Sequence, residues 1–368
     1  MGNYKQSVDS YLCENNRKCL SESELAWIRG HFPSLRRFIY LDAARKAPLS
    51  NAAADAMTAY IEEALCCRDT KLLHLQHVDR ARDAFSKLLN TDADKFRFCS
   101  STSEATMLAL ISMGGHLHDR IGVIEGLHPS VMAAVRFVAG KNKVTKLAIP
   151  RGVAESDRFE DHLADVSVLC APRISGEGRQ YSLSRVSSIL ANRGIALVLD
   201  EAQSAGIYEL EKFTCPTAHC FTLQKAFACP PGIGIVCFSD NWDMDQASTW
   251  DFGGTNQHVL SALPASTKIF ESISRAKIRA HINWLSQRFK ELMKPTNLLL
   301  QPEERAPHIQ LLDLPGRTWQ NYFRAHGIIV GESKGKLRVS FGFYTAEEDL
   351  MIFADRLDGG LRNGLPID

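Results

Sequence analysis

Short apolar runs alternate with segments of helical periodicity through the first two-thirds of the chain. "FRFCSS" (Phe96–Ser101), "DRIGVIEGLH", "DVSVLCAP" (Asp165–Pro172), "GIALVLD" (Gly194–Asp200) and "GIGIVCFSD" (Gly232–Asp240) read as buried strands. Between them lie helix-like stretches such as "TSEATMLALISM" and "SLSRVSSILANRG", the latter ending on Gly194, a residue suited to a helix C-cap. This alternation predicts an α/β domain built on a mainly parallel sheet. In such a sheet ligands bind beyond the carboxyl ends of the strands. Ser101, Thr102, Ser103, His128, Arg173, Asp200 and Lys225 therefore map to one edge, although they are scattered along the chain.

After about Thr255 the pattern changes. A mostly helical stretch runs to about Met293, interrupted by Pro264. "PHIQLLDL", "IIVGES" and "KLRVSFGF" then read as short strands. "TAEEDLMIFADRL" reads as a closing amphipathic helix with Thr345 as N-cap. This is the pattern of a smaller α+β domain, against which the stretch before Phe38 is expected to pack.

Bulk composition narrows the function. The 368 residues suggest two domains, and 45% hydrophobic with 23% charged residues is ordinary for a globular chain. A formal net charge of +1 favours neither nucleic acid nor a membrane surface as partner. No run approaches the roughly 20 apolar residues of a membrane span, and the first twenty residues lack a signal-peptide core, so the expected location is cytoplasmic. The ten cysteines form no C-x-x-C pair and several lie in apolar strands, which predicts reduced core thiols. His74 with His77, and His116 with His118, lack the carboxylate pattern of a metal motif, so no metal site is expected.

The chemistry-bearing residues cluster around Asp200 and Lys225. Asp200 ends an apolar strand, where a carboxylate is costly unless paired. It reads either as a solvated strand end or as counter-ion to a buried cation such as a pyridinium nitrogen, whose protonated form it would favour. Lys225 lies 25 residues further on (225 − 200), before a Pro-Pro-Gly turn. It suits the Schiff base that pyridoxal phosphate requires, and its amine can move an α-proton. Thr222 and Gln224 flank it and suit phosphate oxygens. Gln203 can reach a phenolic oxygen, and His128 can stack on a planar ring. "SSTSEAT" places Thr102 and Ser103 at a helix N-terminus, where free N–H groups and the helix dipole favour an anion.

Seven segments in order resemble the class V aminotransferase group of fold-type-I pyridoxal phosphate enzymes, which also contains the cysteine desulfurases. They are "IRGHFPSLRRFIYLDAARKAPLS", "FCSSTSEATMLAL", "EGLHPSV", "LVLDEAQSAG", "LQKAFACPPGIGIVCFSD", "GGTNQ" and "LRVSFGFYTAEEDL", spanning about Trp27 to Leu357. The resemblance implies the fold-type-I pyridoxal phosphate-dependent transferase fold. A large cofactor domain (38–256) would hold a mainly parallel, seven-stranded-type sheet. A small α+β C-terminal domain would cover 257–368, with an N-terminal arm (1–37) packed on it. It implies the cofactor pyridoxal 5'-phosphate on Thr102, Ser103, His128, Asp200, Gln203, Thr222, Gln224 and Lys225. It also implies a homodimer in which Thr255 reaches the neighbouring site, an amino acid substrate, and Arg338 as the fork for its carboxylate. The "QKAFACPPG" segment is especially like the alanine–glyoxylate and serine–pyruvate aminotransferases, so transamination is the first expected activity. A lyase acting by C–S or other β-elimination, or an epimerase, is the alternative. The intact Asp200–Lys225 pair speaks against a non-enzymatic scaffold.

The chain departs from the family in three places. The segment Gly327–Ser340 before the carboxylate arginine carries no cysteine, which argues against persulfide-forming desulfuration. Arg173, in "PRISG", replaces a usual asparagine and is expected to approach the cofactor's phenolic oxygen or an acidic substrate group. Arg45 and Lys46, in "DAARKAP", stand where small residues are usual and would suit a substrate with a second anion.

Overall fold

The computed structural model describes residues 19–114, 120–140, 143–149, 159–243, 256–300 and 304–367. Seven strands form the larger sheet: β2 (Phe96–Cys99), β3 (Arg120–Ile124), β4 (Val144–Leu147), β5 (Val166–Pro172), β6 (Ala196–Asp200), β7 (Thr217–Thr222) and β8 (Gly234–Phe238). Their order is β2-β8-β7-β6-β5-β3-β4; only β8 runs antiparallel to its neighbours. This is the α/β fold that the apolar runs predict.

Alternate residues of each strand feed two separate cores. Val168, Cys170, Val198, Ala218 and Val236 pack on one face, under the helix Thr102–Ser112. Leu169, Ala171, Leu197 and Leu199 pack on the other, with Val186 and Leu190 of the helix Ser184–Asn192. A sheet covered on both faces has no solvent side, so its strands read as continuous apolar runs. The thiols of Cys99 and Cys170 lie in the first of these cores and those of Cys229 and Cys237 in a third, with Phe221, Phe227 and Ile235; burial pushes each to about 12.

Two strands escape the sequence pattern. β4 is an edge strand with one buried residue, Leu147. β7, "TAHCFT", is wholly buried but carries threonine and histidine where a core strand is expected to be aliphatic. The polar side chains have local partners: Thr217 Oγ1 donates to the Cys215 carbonyl, and His219 bonds Glu201.

The smaller sheet contains β1 (Ile39–Leu41), β9 (Leu299–Leu300), β10 (Ile309–Pro315), β11 (Ile328–Ser333) and β12 (Lys336–Ser340), in the order β1-β11-β12-β10-β9. β1 pairs in parallel with β11, so residues 39–41 belong to this sheet rather than to the large unit expected over 38–256. Its core is aromatic, with Trp319, Phe323, Phe341 and Phe353 buried beside Leu337 and Val339. The helix Glu22–Gly30 docks here: Arg29 Nη1 lies 2.7 Å from Asp349 Oδ2 and donates to the Tyr344 carbonyl. Two local expectations change. Pro264 occupies the first turn of the helix Leu263–Ser272, where its missing N–H costs nothing, rather than interrupting a helix. Ala346, not Thr345, precedes the closing helix Glu347–Arg362. Asp349 takes the Ala346 N–H, while Thr345 Oγ1 accepts the Gly342 N–H. No helix among the described residues is long and apolar enough to cross a membrane.

Candidate active site

The chain reverses direction across the large sheet between β3 and β5, so the loops after β3, β5, β6 and β7 open around one crevice. A cavity of about 320 Å³ lies there. Thr102, Ser103, His128, Asp200, Gln203, Thr222, Gln224, Lys225 and Arg338 all line it, joined by Arg45. The size suits a small cofactor with substrate.

At one end sits the N-terminus of the helix Thr102–Ser112. Ser101 caps it, its Oγ accepting the Glu104 N–H at 3.2 Å. Gly234 of β8 passes against this turn. A Cβ on it would lie 2.6 Å from the Ser101 carbonyl carbon, so glycine lets the strand reach the anion-binding turn. In the middle, Asp200 accepts the Ala202 N–H at 3.0 Å. Burial raises its pKa; that N–H and the charge of Lys225 work against the rise. His128 lies beside them. Burial lowers its pKa, and the Lys225 and Arg338 charges lower it further, which favours a neutral ring.

Lys225 sits in the loop closing β7 onto β8, pinned by the Leu223 N–H to the Ile233 carbonyl and the Cys229 N–H to the Leu223 carbonyl. Ala228, three residues on, is held at φ 52°, a left-handed conformation that alanine rarely adopts and only a well-braced loop retains. Behind Lys225 lies a smaller hollow of about 20 Å³ lined by Ile207, Phe270, Ile278, Ile282 and Phe343. Burial against this wall pulls the amine down to about 8, with Arg338 assisting and Asp200 and Asp42 opposing. The folded value lies below the unfolded one. The unfolded chain therefore binds more protons between about pH 8 and the ordinary lysine range, and stability from this group rises across that window. In the cofactor-free protein, acylation of Lys225 by an amine-directed reagent should rise through a midpoint near pH 8. Peptide mass spectrometry of labelled samples measures it; a midpoint in the range of surface lysines would refute the shift.

Arg338 enters from β12 of the small sheet. Its Nη2 donates to Asp42 Oδ1 at 3.2 Å and its Nη1 to the Gly176 carbonyl at 3.1 Å. Its Nε is buried without a hydrogen-bond partner. Gly331, opposite Arg338 on β11, makes room for the pair. A Cβ there would lie 2.4 Å from Asp42 Oδ1. Asp42, 1% exposed, is a site residue that sequence reasoning left unassigned, although it belongs to the "YLDAA" segment.

Two expected roles change on inspection. Arg173 does not line the cavity. Its Nη1 lies 3.3 Å from Glu201 Oε2 and donates to the Glu209 carbonyl at 2.7 Å, and its guanidinium lies 5.4 Å from the centroid of the Tyr208 ring. Glu201 is fully buried. Burial opposes its charge, but the His219 hydrogen bond and Arg173 hold its carboxyl below the ordinary value. Arg173 and Glu201 thus satisfy each other behind the site. Gln203 keeps its place in the cavity wall and gains a further role: one Nε2 proton goes to the Ala44 carbonyl at 2.9 Å and fastens the 42–47 loop, leaving the other free. Thr222 Oγ1 likewise donates to the Ile233 carbonyl at 3.2 Å and has its lone pairs left for the cavity. Thr255 lies outside the described residues.

The donor set fits pyridoxal phosphate. An anion-binding helix start, a flat imidazole, a buried carboxylate and a buried amine of lowered pKa face one cavity, with an arginine beyond them.

The family profile for aminotransferase class-V matches residues 39–276. An uncharacterised aminotransferase of Schizosaccharomyces pombe is 17% identical across 87% of this chain and 91% of its own length. Among solved structures, the apo cysteine desulfurase of Thermococcus onnurineus superposes with a TM-score of 0.79 at 18% identity, over 91% of this chain and 97% of that one. The cystine C–S lyase C-DES, in complex with its product cysteine persulfide, gives 0.75 at 17% identity, over 89% and 98%.

Proposed function

This chain belongs to the aminotransferase class-V family, and from that premise we propose that it is a pyridoxal phosphate-dependent lyase removing a β-substituent, sulfur foremost, from an amino acid. The observation that carries this reading is the hairpin before Arg338. β11 turns into β12 through Lys334 and Gly335 alone, both left-handed, so no loop reaches from there toward the cavity. No cysteine lies in that hairpin or among the residues lining the cavity. Among the described residues no thiol is placed to accept a persulfide, so in this reading sulfur leaving Cβ departs as a free product. The likeness to the C–S lyase supports the same reading.

Pyridoxal phosphate, when bound, supplies an aldehyde that holds the substrate's amino group and a ring that accepts electrons from the broken Cα–H bond. Thr102 and Ser103 hold its phosphate at the helix start, with Gln224 alongside; the Thr222 hydroxyl proton stays on the Ile233 carbonyl. His128 lies against the ring face and Asp200 keeps the ring nitrogen protonated. Arg338 grips the α-carboxylate through its remaining Nη protons, which orients the Cα–H toward Lys225. The Lys225 Nζ, released by the substrate's amine, takes that proton; a pKa near 8 suits a base that works around neutral pH. The working unit in this reading is a homodimer.

Transamination stays as second reading on the "QKAFACPPG" segment alone. Product analysis separates the two. The loaded protein, given an S-substituted cysteine and no keto-acid acceptor, should release pyruvate and ammonia continuously. One equivalent of keto acid per site, then arrest, makes it an aminotransferase.

A further inference from the structure

Of the three cations suited to a second substrate anion, the fold turns two away. Arg173 is spent on Glu201, and Lys46 does not line the cavity. Arg45 remains. Its side chain lines the cavity with Arg338 and is exposed, and it has no ion pair among the described residues.

Its placement is built rather than incidental, because the loop carrying it is fastened on both sides. Before it, the Ala43 N–H donates to the Ser340 carbonyl at 3.3 Å and the Ala44 N–H to Ser340 Oγ at 2.9 Å. The Ala44 carbonyl accepts Gln203 Nε2. After it, the Ala47 N–H donates to the Gln224 carbonyl at 2.8 Å. Each anchor is a cavity residue or a near neighbour of Arg338, so Arg45 has a fixed base beside both the cofactor and carboxylate positions. Among the lining residues the cations are Arg45, Lys225 and Arg338, against the single carboxylate Asp200. Lys225 and Asp200 are matched by the cofactor, and Arg338 by Asp42 and the α-carboxylate. Arg45 makes no ion pair among the described residues; its charge only assists Arg338 in opposing the raised pKa of buried Asp42, and a guanidinium is suited to a carboxylate in two-point contact.

We propose that Arg45 selects the substrate: the enzyme takes amino acids whose side chain carries a second anionic group, which Arg45 binds while Arg338 holds the α-carboxylate. The elimination step rests on the lyase reading; the binding preference does not.

Two arms keep them apart. The loaded wild-type protein should turn over S-carboxymethylcysteine with a kcat/KM on the order of 10-fold above its neutral, near-isosteric amide, S-carbamoylmethylcysteine, the size of one charge-assisted contact. Arg45→Gln should bring the ratio toward one, and Arg45→Lys should restore part of it. In the second arm, calorimetry on cofactor-free protein compares glutarate with butyrate; wild type should prefer the dicarboxylate and Arg45→Gln should not. Elimination of both cysteine derivatives at equal rates leaves the lyase reading standing and overturns the role of Arg45. A dicarboxylate preference that Arg45→Gln removes, without turnover of either compound, supports Arg45 and sinks the lyase reading. If Arg45→Gln weakens cofactor binding but keeps the acid-to-amide ratio, the arginine serves the cofactor phosphate and the proposal is wrong.

Discussion

Wild-type protein is expected to gain a visible absorbance band with pyridoxal phosphate; Lys225→Ala is expected to abolish it and to lower turnover by at least about 10²–10⁴-fold, the size of a positioned proton transfer. In the proposed reading the substitution removes the cofactor's covalent anchor and the base for the α-proton at once. It should not unfold the protein. The amine is half-buried against an apolar wall that already pulls it down to about 8, so an alanine there relieves a desolvation cost. The thermal midpoint of the cofactor-free variant should match or exceed wild type. A band that survives the substitution means that another amine holds the cofactor.

Arg338→Gln should show two separable losses. The first is in kcat/KM, by about 10–100-fold, corresponding to about 1.5–3 kcal/mol for one charged hydrogen bond to the substrate carboxylate. The second is in stability. Asp42 is almost fully buried, and burial already raises its pKa, with the Arg338 charge and hydrogen bond opposing. Removing one partner of a buried pair costs about 3–5 kcal/mol. Adding Asp42→Asn should recover most of the thermal midpoint, because a neutral amide needs no counter-charge. It should recover none of the kcat/KM. Denaturation of the single and double variants beside steady-state kinetics checks both. Recovery of activity in the double variant would show that Arg338 braces the site rather than binding substrate.

What the sequence determined by itself is what depends on local pattern. Buried strands read as apolar runs, and the strand-end rule then gathers Thr102, His128, Asp200 and Lys225 at one crevice. All four line the cavity. β7 was illegible because its threonine and histidine are satisfied by Cys215 and Glu201, partners that the linear pattern cannot reveal. The fate of long charged side chains was also beyond it. Arg173 and Arg45 look alike in sequence, two unexpected arginines near a strand end and a loop. Their roles diverge because Glu201 is buried beside one of them, while hydrogen bonds from Ser340, Gln203 and Gln224 hold the loop of the other over the cavity. Asp42 and Arg338, 296 positions apart, meet only because β1 joins the small sheet. The fold class and the residues gathered at the cavity come from pattern along the chain; which charges are spent and which stay free depends on packing across it, and only the tertiary structure decides that.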